Sequence, residues 1–375
     1  MKIAFWTDAA FPWHMGGLEA VERTEAEELA KKYDVDFVSI RWPGMQSDFV
    51  DKGIRYHTIM RTTKEKFYRH GRRSIRTSIW YAMNSLKIFF HKYDVIEANM
   101  FPILQLPILK LYCKLTGCKL ILDVVEVWSK DYWKDYLGDF MGRIGYRYAT
   151  YFIDSADAYI TNSSETAEKL HTAGNVDWKR INVFAPILDD KTIAKAKSRK
   201  EGMRIIFWGR LIKEKRFDKW LAVVKEVHKK MPLVRAVLIG EGPERDNIIR
   251  MIKSMGLQKV VSVRPGIDDR LELYKEVSKS AVCLHMSERE GLGLVALESI
   301  ALGVPVVLPS YSPIADEVKG MCVVEDEKEV AGKLIEILKS KRPDTYIKRR
   351  ETLLQFEVSR TLPFYESLFR KLGLR

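Results

Sequence analysis

The chain has 375 residues, of which 46% are hydrophobic, and it carries a formal net charge of +13. This length is too great for one ordinary core and predicts two domains of similar size. The chain has no long uncharged apolar run, so we expect no membrane-spanning helix and no signal peptide. The four cysteines have no metal-ligand spacing, which predicts buried, reduced thiols and a cytoplasmic protein.

The positive charge is concentrated in the second half of the chain. Residues 1–190 contain 26 basic and 25 acidic side chains, and residues 191–375 contain 37 basic and 25 acidic side chains. An anionic small ligand bound by the second half would explain part of this excess, and anionic lipid, nucleic acid or solvated lysines are the alternatives. No recognised nucleic-acid-binding module is present, so we predict no nucleic-acid partner.

The chain begins with a strand, a glycine loop and a helix. The apolar strand Lys2–Thr7 precedes a loop that ends in Gly16-Gly17, and a helix runs to about Lys32. This order is typical of a nucleotide-binding α/β unit, but the full G-x-G-x-x-G signature is missing, which disfavours a dehydrogenase cofactor. Further strands are predicted at Val35–Ile40, Ile54–Ile59, Val95–Ala98, Leu120–Val125, Ala158–Thr161 and Ile181–Phe184. Helical segments between most of them predict a largely parallel sheet covered by helices.

One part of this first half is strongly basic. Residues Arg61 to Arg76 contain seven basic side chains and one acid, and the apolar, aromatic stretch Ile79–Phe90 follows. Basic clusters beside aromatic residues favour an anionic membrane surface. The alternative is a solvated loop followed by a packed helix.

The first domain is predicted to end near Asp190, because five basic side chains and no acid follow in residues 191–200. A second α/β series then has strands at Arg204–Trp208, Ala236–Gly240, Val260–Val263, Ala281–Leu284, Val306–Leu308 and Met321–Val324. We therefore predict a second domain over residues 191–355 and a final helix over about residues 356–375. Two such halves form a cleft, and ligands bind at the carboxyl ends of the strands.

Two segments of the second half carry functional residue types. Arg210 and Lys215 follow the strand Arg204–Trp208, and paired cations at the end of a strand suit a diphosphate. In the stretch Ser287–Pro309, a glycine-containing loop leads into a helix whose first backbone N–H groups favour an anion. Glu290 and Glu298 flank these amides, and carboxylates accept hydrogen bonds from groups such as sugar hydroxyls.

The stretch from Glu290 through Glu298 to Gly303-Val304-Pro305 resembles the E-x7-E segment of glycosyltransferase family 4, whose members are retaining enzymes with the GT-B fold. The resemblance covers about 110 residues and implies that Glu290 contacts the transferred sugar and Glu298 the nucleotide ribose. Arg210 and Lys215 would neutralise the leaving diphosphate, although Arg216 stands where the family commonly has glycine. The remaining donor-binding positions that it implies are Gly16, Gly17, Gly209, Glu241, Gly266, Ile267, Gly291, Gly293, Leu294 and Val295.

The first half departs from the family pattern. Many members have a His-Asp pair near the donor sugar, and Val125 and Glu126 occupy the corresponding positions here. Glu126 and Trp128 are candidates for the acceptor side, and His14 is the only other histidine placed near the predicted cleft. The alternatives are that Glu126 is simply a loop acid and that His14 is a structural histidine.

The resemblance implies an α/β protein of the GT-B fold, with two Rossmann-like domains facing each other across a deep cleft and a C-terminal helix that crosses back to the first domain. The implied reaction transfers a hexose, glucose or mannose, from UDP or GDP to a glycan that is lipid-linked if the protein meets a membrane. It implies no cofactor other than this co-substrate and no metal. A catalytically silent protein that binds sugar nucleotides or membranes is the alternative.

Overall fold

The computed structural model describes residues 1–14, 17–69 and 72–374. The chain forms two compact units, one made of Met1–Ile187 with Val358–Arg375 and the other of Leu188–Glu357. The division lies three residues before the sequence-based boundary at residue 190, and the last segment begins two residues after the predicted position 356.

The strands, numbered in chain order, alternate with helices through most of both units. The strands are β1 (Lys2–Trp6), β2 (Asp34–Arg41), β3 (Asp48–Asp51), β4 (Ile54–Arg61), β5 (Tyr68–Arg69), β6 (Arg72–Arg73), β7 (Val95–Asn99), β8 (Lys119–Val124), β9 (Ala158–Thr161), β10 (Ile181–Val183), β11 (Arg204–Trp208), β12 (Arg235–Ile239), β13 (Val261–Arg264), β14 (Val282–Leu284), β15 (Val306–Pro309) and β16 (Val323–Glu325). The α-helices are α1 (Gly17–Leu29), α2 (Lys64–Phe67), α3 (Ile75–Asn84), α4 (Leu106–Thr116), α5 (Lys130–Leu137), α6 (Asp139–Phe152), α7 (Ser164–Gly174), α8 (Asp190–Ala196), α9 (Phe217–Lys230), α10 (Arg245–Ser254), α11 (Arg270–Ser278), α12 (Leu294–Ala301), α13 (Asp316–Lys319), α14 (Val330–Lys339) and α15 (Thr361–Lys371).

The first unit is built on a sheet with the strand order β10-β9-β8-β7-β1-β2-β4-β3. Its pairs are parallel except for β3 with β4, which are antiparallel. The central strand β1 is buried from Ile3 to Trp6, as expected for a strand covered on both faces. The chain order reverses between β1 and β7, and in such sheets ligands bind beyond the carboxyl ends of the strands at this point.

The second unit contains a parallel sheet with the order β13-β12-β11-β14-β15-β16. From β11 the chain moves outward through β12 to β13, and it then returns to β14 on the other side of β11. The carboxyl ends of β11 and β14 therefore form the switch point of this sheet, where a ligand site is expected.

The strands predicted from the sequence all occur within about two residues of their expected bounds. The short strands β3, β5 and β6 were not predicted. Strand β3 has the sequence Asp-Phe-Val-Asp and its residues are exposed or half-buried, because it pairs only along one edge of the sheet. Such a segment has no continuous apolar run by which the sequence could reveal it.

The last helix belongs to the first unit. Tyr365 of α15 is fully buried, and its hydroxyl donates to Glu97 Oε1 over 2.7 Å. Phe364 stacks on Phe184 with a centroid distance of 3.8 Å. The final helix thus contributes side chains to a core formed by residues far away in the sequence. In the described part of the chain, no helix combines the length and hydropathy that crossing a bilayer requires.

Candidate functional site

The loop between β14 and α12 lies at the switch point of the second sheet. Gly293 directly precedes α12 and adopts the left-handed conformation, with φ +88°, and a Cβ atom at this position would lie only 2.6 Å from Ile314 Cγ2. The helix starts without a side-chain cap, and Gly303, with φ +73°, follows its end. Leu294 and Val295 are therefore the first residues of a helix whose amino terminus has no capping side chain, as the anion-binding hypothesis requires.

Gly293→Ala is expected to destabilise the second unit by about 1–3 kcal/mol, because alanine is strained at positive φ and its methyl group would overlap Ile314. Denaturant unfolding of the full chain measures this change. Gly332→Ala is the matched control, because Gly332 lies inside α14 and its Cβ would meet nothing within 4 Å. We expect that control to be neutral or stabilising, and an equal loss in both variants would contradict the prediction.

Glu290 is held by residues from two neighbouring loops. Lys215 donates to Glu290 Oε1, and His285 Nε2 lies 3.0 Å from the same oxygen. The backbone N–H of Glu288 donates to Glu214 O over 3.0 Å, which fixes the loop after β11 beside the loop after β14. This backbone hydrogen bond explains why Lys215 and Glu290, 75 positions apart in the sequence, are in contact.

The electrostatics of this cluster keep Glu290 ionised. Burial alone would raise its pKa, but the hydrogen bond and charge interaction with His285, together with Lys215, outweigh it and lower the pKa to about 2. Glu290 is therefore a carboxylate at every pH at which the protein would work, and it can only accept hydrogen bonds.

His285 was missed in the sequence, where His14 was taken as the only other histidine near the site. His285 is completely buried, directly follows β14, and has Ser287 Oγ 3.4 Å from its Nε2. Its position one residue beyond a buried strand, at a switch point, is the signal that could have identified it.

Arg210 is placed differently from Lys215. Its side chain is exposed and has no hydrogen-bond or ion-pair partner within the part of the chain that the structure describes. Gly209 before it has φ +123°, and a Cβ added there would lie 3.4 Å from Val295 Cγ2 in α12. Gly240 packs directly on Gly209, since a Cβ there would lie 1.9 Å from Gly209 O. The structure brings the backbone before Arg210 to α12 without pairing the guanidinium with either glutamate.

Arg216 keeps the turn that the family commonly builds with glycine. It adopts the left-handed conformation with φ +50°. Its guanidinium donates to Asp218 Oδ1 over 2.9 Å and also pairs with Glu288. These ion pairs help to hold a conformation that is uncommon for a residue with a side chain.

Glu298 lies in the second turn of α12 and is 3% exposed. Arg270 and Tyr274 of α11 both donate to its Oε1. Burial raises the pKa of Glu298, although both partners oppose the shift. Neither Arg270 nor Tyr274 was a candidate from the sequence, because their pairing with Glu298 depends on how α11 packs.

The remaining donor-side candidates lie at the same edge of the sheet. Glu241 follows β12 and is exposed, with Oε1 3.8 Å from an Arg245 nitrogen. Gly266 and Ile267 follow β13, and a Cβ on Gly266 would lie 3.9 Å from Glu241 Cγ. Gly291 is exposed in the loop before α12.

The acceptor-side candidates lie in the first unit. His14 Nδ1 is 2.9 Å from Glu19 Oε1, and its ring packs 4.7 Å from that of Trp42. Trp128 donates to Glu126 Oε2 over 3.1 Å and stacks on Phe101 at 4.3 Å between ring centroids.

Two donor-side candidates also belong to the first unit. Gly17 begins α1, whereas Gly16 lies outside the described residues. No group of three or more His, Cys, Asp or Glu side chains suited to a metal ion occurs in residues 1–14, 17–69 and 72–374.

Two family profiles match consecutive parts of the sequence. The profile described as Glycosyl transferases group 1 matches residues 189–353, and that described as Glycosyltransferase Family 4 matches residues 15–191. The chain belongs to glycosyltransferase family 4. The family predicted from the Glu290–Glu298 segment is thereby confirmed.

Among curated relatives, this glycosyltransferase is 28% identical over 309 residues to an uncharacterized glycosyltransferase of Haemophilus influenzae, covering 80% of this chain and 78% of the relative. A D-inositol 3-phosphate glycosyltransferase of Mycobacterium sp. is 30% identical over 192 residues. The matched region covers 46% of this chain and only 42% of that relative. The solved structure of HepE from Anabaena, in complex with UDP and glucose, has a TM-score of 0.69 at 17% identity and covers 98% of this chain and 99% of that one. This structural likeness confirms the GT-B fold.

Proposed function

We propose that this glycosyltransferase moves a hexose from a nucleoside-diphosphate sugar to a glycan acceptor with retention of configuration. The proposal depends on one observation: Lys215, His285 and Glu290 converge beside the amino terminus of α12 at the switch point of the second sheet. The arrangement combines a cation for the diphosphate with an ionised carboxylate for sugar hydroxyls.

In this proposal the bond between the anomeric carbon and the phosphate oxygen breaks while the acceptor oxygen bonds to the same carbon. The proton of the acceptor hydroxyl passes to the leaving diphosphate. Lys215, the exposed Arg210 and the first amides of α12 stabilise the charge that develops on the diphosphate. Glu290 orients the sugar, Glu298 accepts from the ribose after exchanging one of its present donors, and the first unit binds the acceptor through Glu126 and Trp128.

UDP-glucose is the first donor to test, since the similar HepE structure contains UDP and glucose, and GDP-mannose is the second. A donor present at 100 times its dissociation constant should add about 2.7 kcal/mol to apparent stability. A thermal-shift comparison of UDP-glucose, GDP-mannose and free nucleotides measures this effect. Absence of a shift with every sugar nucleotide would reject the donor site.

The proposed reaction uses side-chain and backbone charges instead of a divalent metal. We therefore expect the transfer rate to remain within about twofold when EDTA is added, because Arg210, Lys215 and the α12 amides supply the positive field. Donor consumption measured with and without EDTA tests this expectation, and restoration of an EDTA-inhibited rate by Mg²⁺ or Mn²⁺ would contradict it.

A catalytically silent sugar-nucleotide or membrane-binding protein is the second candidate. It is favoured by Val125, which is half-buried directly after β8 where many family members carry histidine. Donor binding without hydrolysis or transfer, over a panel of glycan and lipid-linked acceptors, would support this alternative.

A further inference from the structure

A band of apolar side chains is exposed on one face of a helical segment in the first unit. Helix α3 continues directly into a 3-10 helix over Ser85–Phe90, which gives 16 helical residues in succession. Trp80 is 50% exposed and Phe90 86% exposed. The large exposed apolar residues are Ile75, Ile79, Trp80, Met83, Leu86, Phe89 and Phe90, and each of them lies three or four positions from another.

The opposite face of this segment is firmly packed. Thr77, Tyr81, Ser85 and Ile88 are buried. The Trp6 indole donates to Ser85 Oγ over 3.1 Å, and Thr77 Oγ1 donates to Lys66 O over 2.8 Å. The outward direction of the apolar face is therefore fixed by the core of the unit.

Helix α4 adds to the same surface. Phe89 contacts the Tyr112 ring edge to face, with 5.6 Å between centroids, and the Tyr112 hydroxyl donates to His91 O. Leu111 and Leu115, one turn apart on α4, are exposed. We call the exposed face of α3, Ser85–Phe90 and α4 the α3–α4 surface.

The charged side chains of the segments that form this surface all have one sign. Residues 75–92 and 102–119 contain no aspartate or glutamate. Exposed cations lie on the same segments at Arg76, Lys92, Lys110 and Lys114, whereas the ammonium of Lys87 donates to Ile59 O over 2.6 Å. Large exposed apolar patches on soluble proteins usually mark contact surfaces, and apolar side chains with cations on the same helical segments complement anionic headgroups above acyl chains.

We propose that the α3–α4 surface binds an anionic lipid bilayer, with Trp80, Leu86 and Phe90 entering the headgroup region and the cations meeting lipid phosphates. This proposal rests on the proposed function, because lipid binding would bring the acceptor-binding unit to a lipid-linked glycan. The α3–α4 surface shares Arg76 and the apolar stretch Ile79–Phe90 with the membrane surface predicted from the sequence, but most of the basic stretch Arg61–Arg76 lies outside it. Arg73 of that stretch is tied to Asp8 over 2.8 Å, Phe67 is buried, and His70 and Gly71 lie outside the described residues.

Co-sedimentation of the full chain with phosphatidylcholine vesicles, with and without about 30% phosphatidylglycerol, tests this proposal. We expect binding to the anionic vesicles that weakens as salt is added. The double variant Trp80→Ser/Phe90→Ser should lower the partition coefficient at least about tenfold, because it removes apolar area that would enter the bilayer. Lys110→Glu/Lys114→Glu should lower it by a similar factor, because it replaces two attractions to the anionic surface by repulsions. Phe140→Ser/Tyr151→Ser is the matched control, because both rings are 75% exposed on α6, outside the α3–α4 surface.

Equal binding to both vesicle types, or equal losses in the aromatic double variant and its control, would overturn the proposal. A self-association in sedimentation velocity that disappears with Trp80→Ser/Phe90→Ser, without vesicle binding by the wild type, would instead identify an interface between copies. The UDP-glucose thermal shift separates this proposal from the donor site: the surface variants should keep it. A wild type that binds anionic vesicles but no sugar nucleotide would reject the proposed reaction and leave the surface in place.

Discussion

Replacement of Lys215 by alanine is expected to lower kcat by about 100-fold or more while the protein stays folded. Lys215 is 9% exposed and pairs with Glu290, so its ammonium is already held beside the helix terminus proposed to bind the diphosphate. A preorganised charge of this kind stabilises the leaving group more than the bound donor, and its removal should affect kcat more than KM.

The test compares kcat and KM of Lys215→Ala with those of Lys213→Ala. Lys213 belongs to the same short 3-10 helix, Lys213–Lys215, but is exposed, so its loss should change kcat by less than about twofold. Glu290→Ala should match the loss in Lys215→Ala, because the carboxylate that orients the sugar is removed. A kcat within about threefold of wild type in both site variants would exclude this cluster from catalysis.

The second large effect concerns pH and stability. We expect the free energy of unfolding to fall as the pH rises from about 4.5 to about 8, because the first unit buries carboxylic acids. Burial, together with the nearby Asp123 carboxylate, raises the pKa of Glu97 to about 8, despite the opposing hydrogen bond from Tyr365. Burial likewise raises the pKa of Asp123 to about 7 and that of Glu22 and Glu25 well above the ordinary value.

The sign follows from proton counting. Below the ordinary pKa of about 4.5 both the folded and unfolded forms of Glu97 are protonated, so its ionisation costs nothing. Between about 4.5 and 8 the unfolded chain has released the proton and the folded protein still holds it, so stability falls by up to about 1.4 kcal/mol per pH unit for each such group. Above the pKa that Glu97 has in the folded protein, its contribution to the free energy of unfolding no longer changes with pH.

Glu97→Gln measures this contribution, because glutamine retains an oxygen that can accept the Tyr365 hydrogen bond but has no ionisable proton. The variant should have a flatter stability curve than wild type and should gain at least about 1 kcal/mol relative to it between pH 5 and pH 8. Urea unfolding followed by fluorescence at several pH values gives the curves, with Glu168→Gln, an exposed residue of α7, as the control. Parallel curves for wild type and Glu97→Gln would contradict the buried-acid assignment.

Much of the fold could be predicted because it depends on residues that lie close together in the sequence. The buried strands are short apolar runs bounded by polar residues, and they appear as such in the sequence. The segment from Glu290 to Glu298 identified the family because its residues lie within nine consecutive positions. The exposed apolar face of α3 could not be predicted in this way, since the residues of Ile79–Phe90 are equally compatible with a packed helix.

The sequence by itself determined the α/β class, the division into two domains, the family and the candidate residues Glu290, Glu298, Arg210 and Lys215, all of which depend on neighbouring residues or on hydrophobic periodicity. Only the tertiary structure decided which side chains meet. His285 joins Glu290, Arg270 and Tyr274 hold Glu298, and Tyr365 reaches Glu97 across 268 positions. Such contacts depend on strand order and helix packing. These bring together residues that lie far apart along the chain, and no pattern in the sequence indicates that they meet.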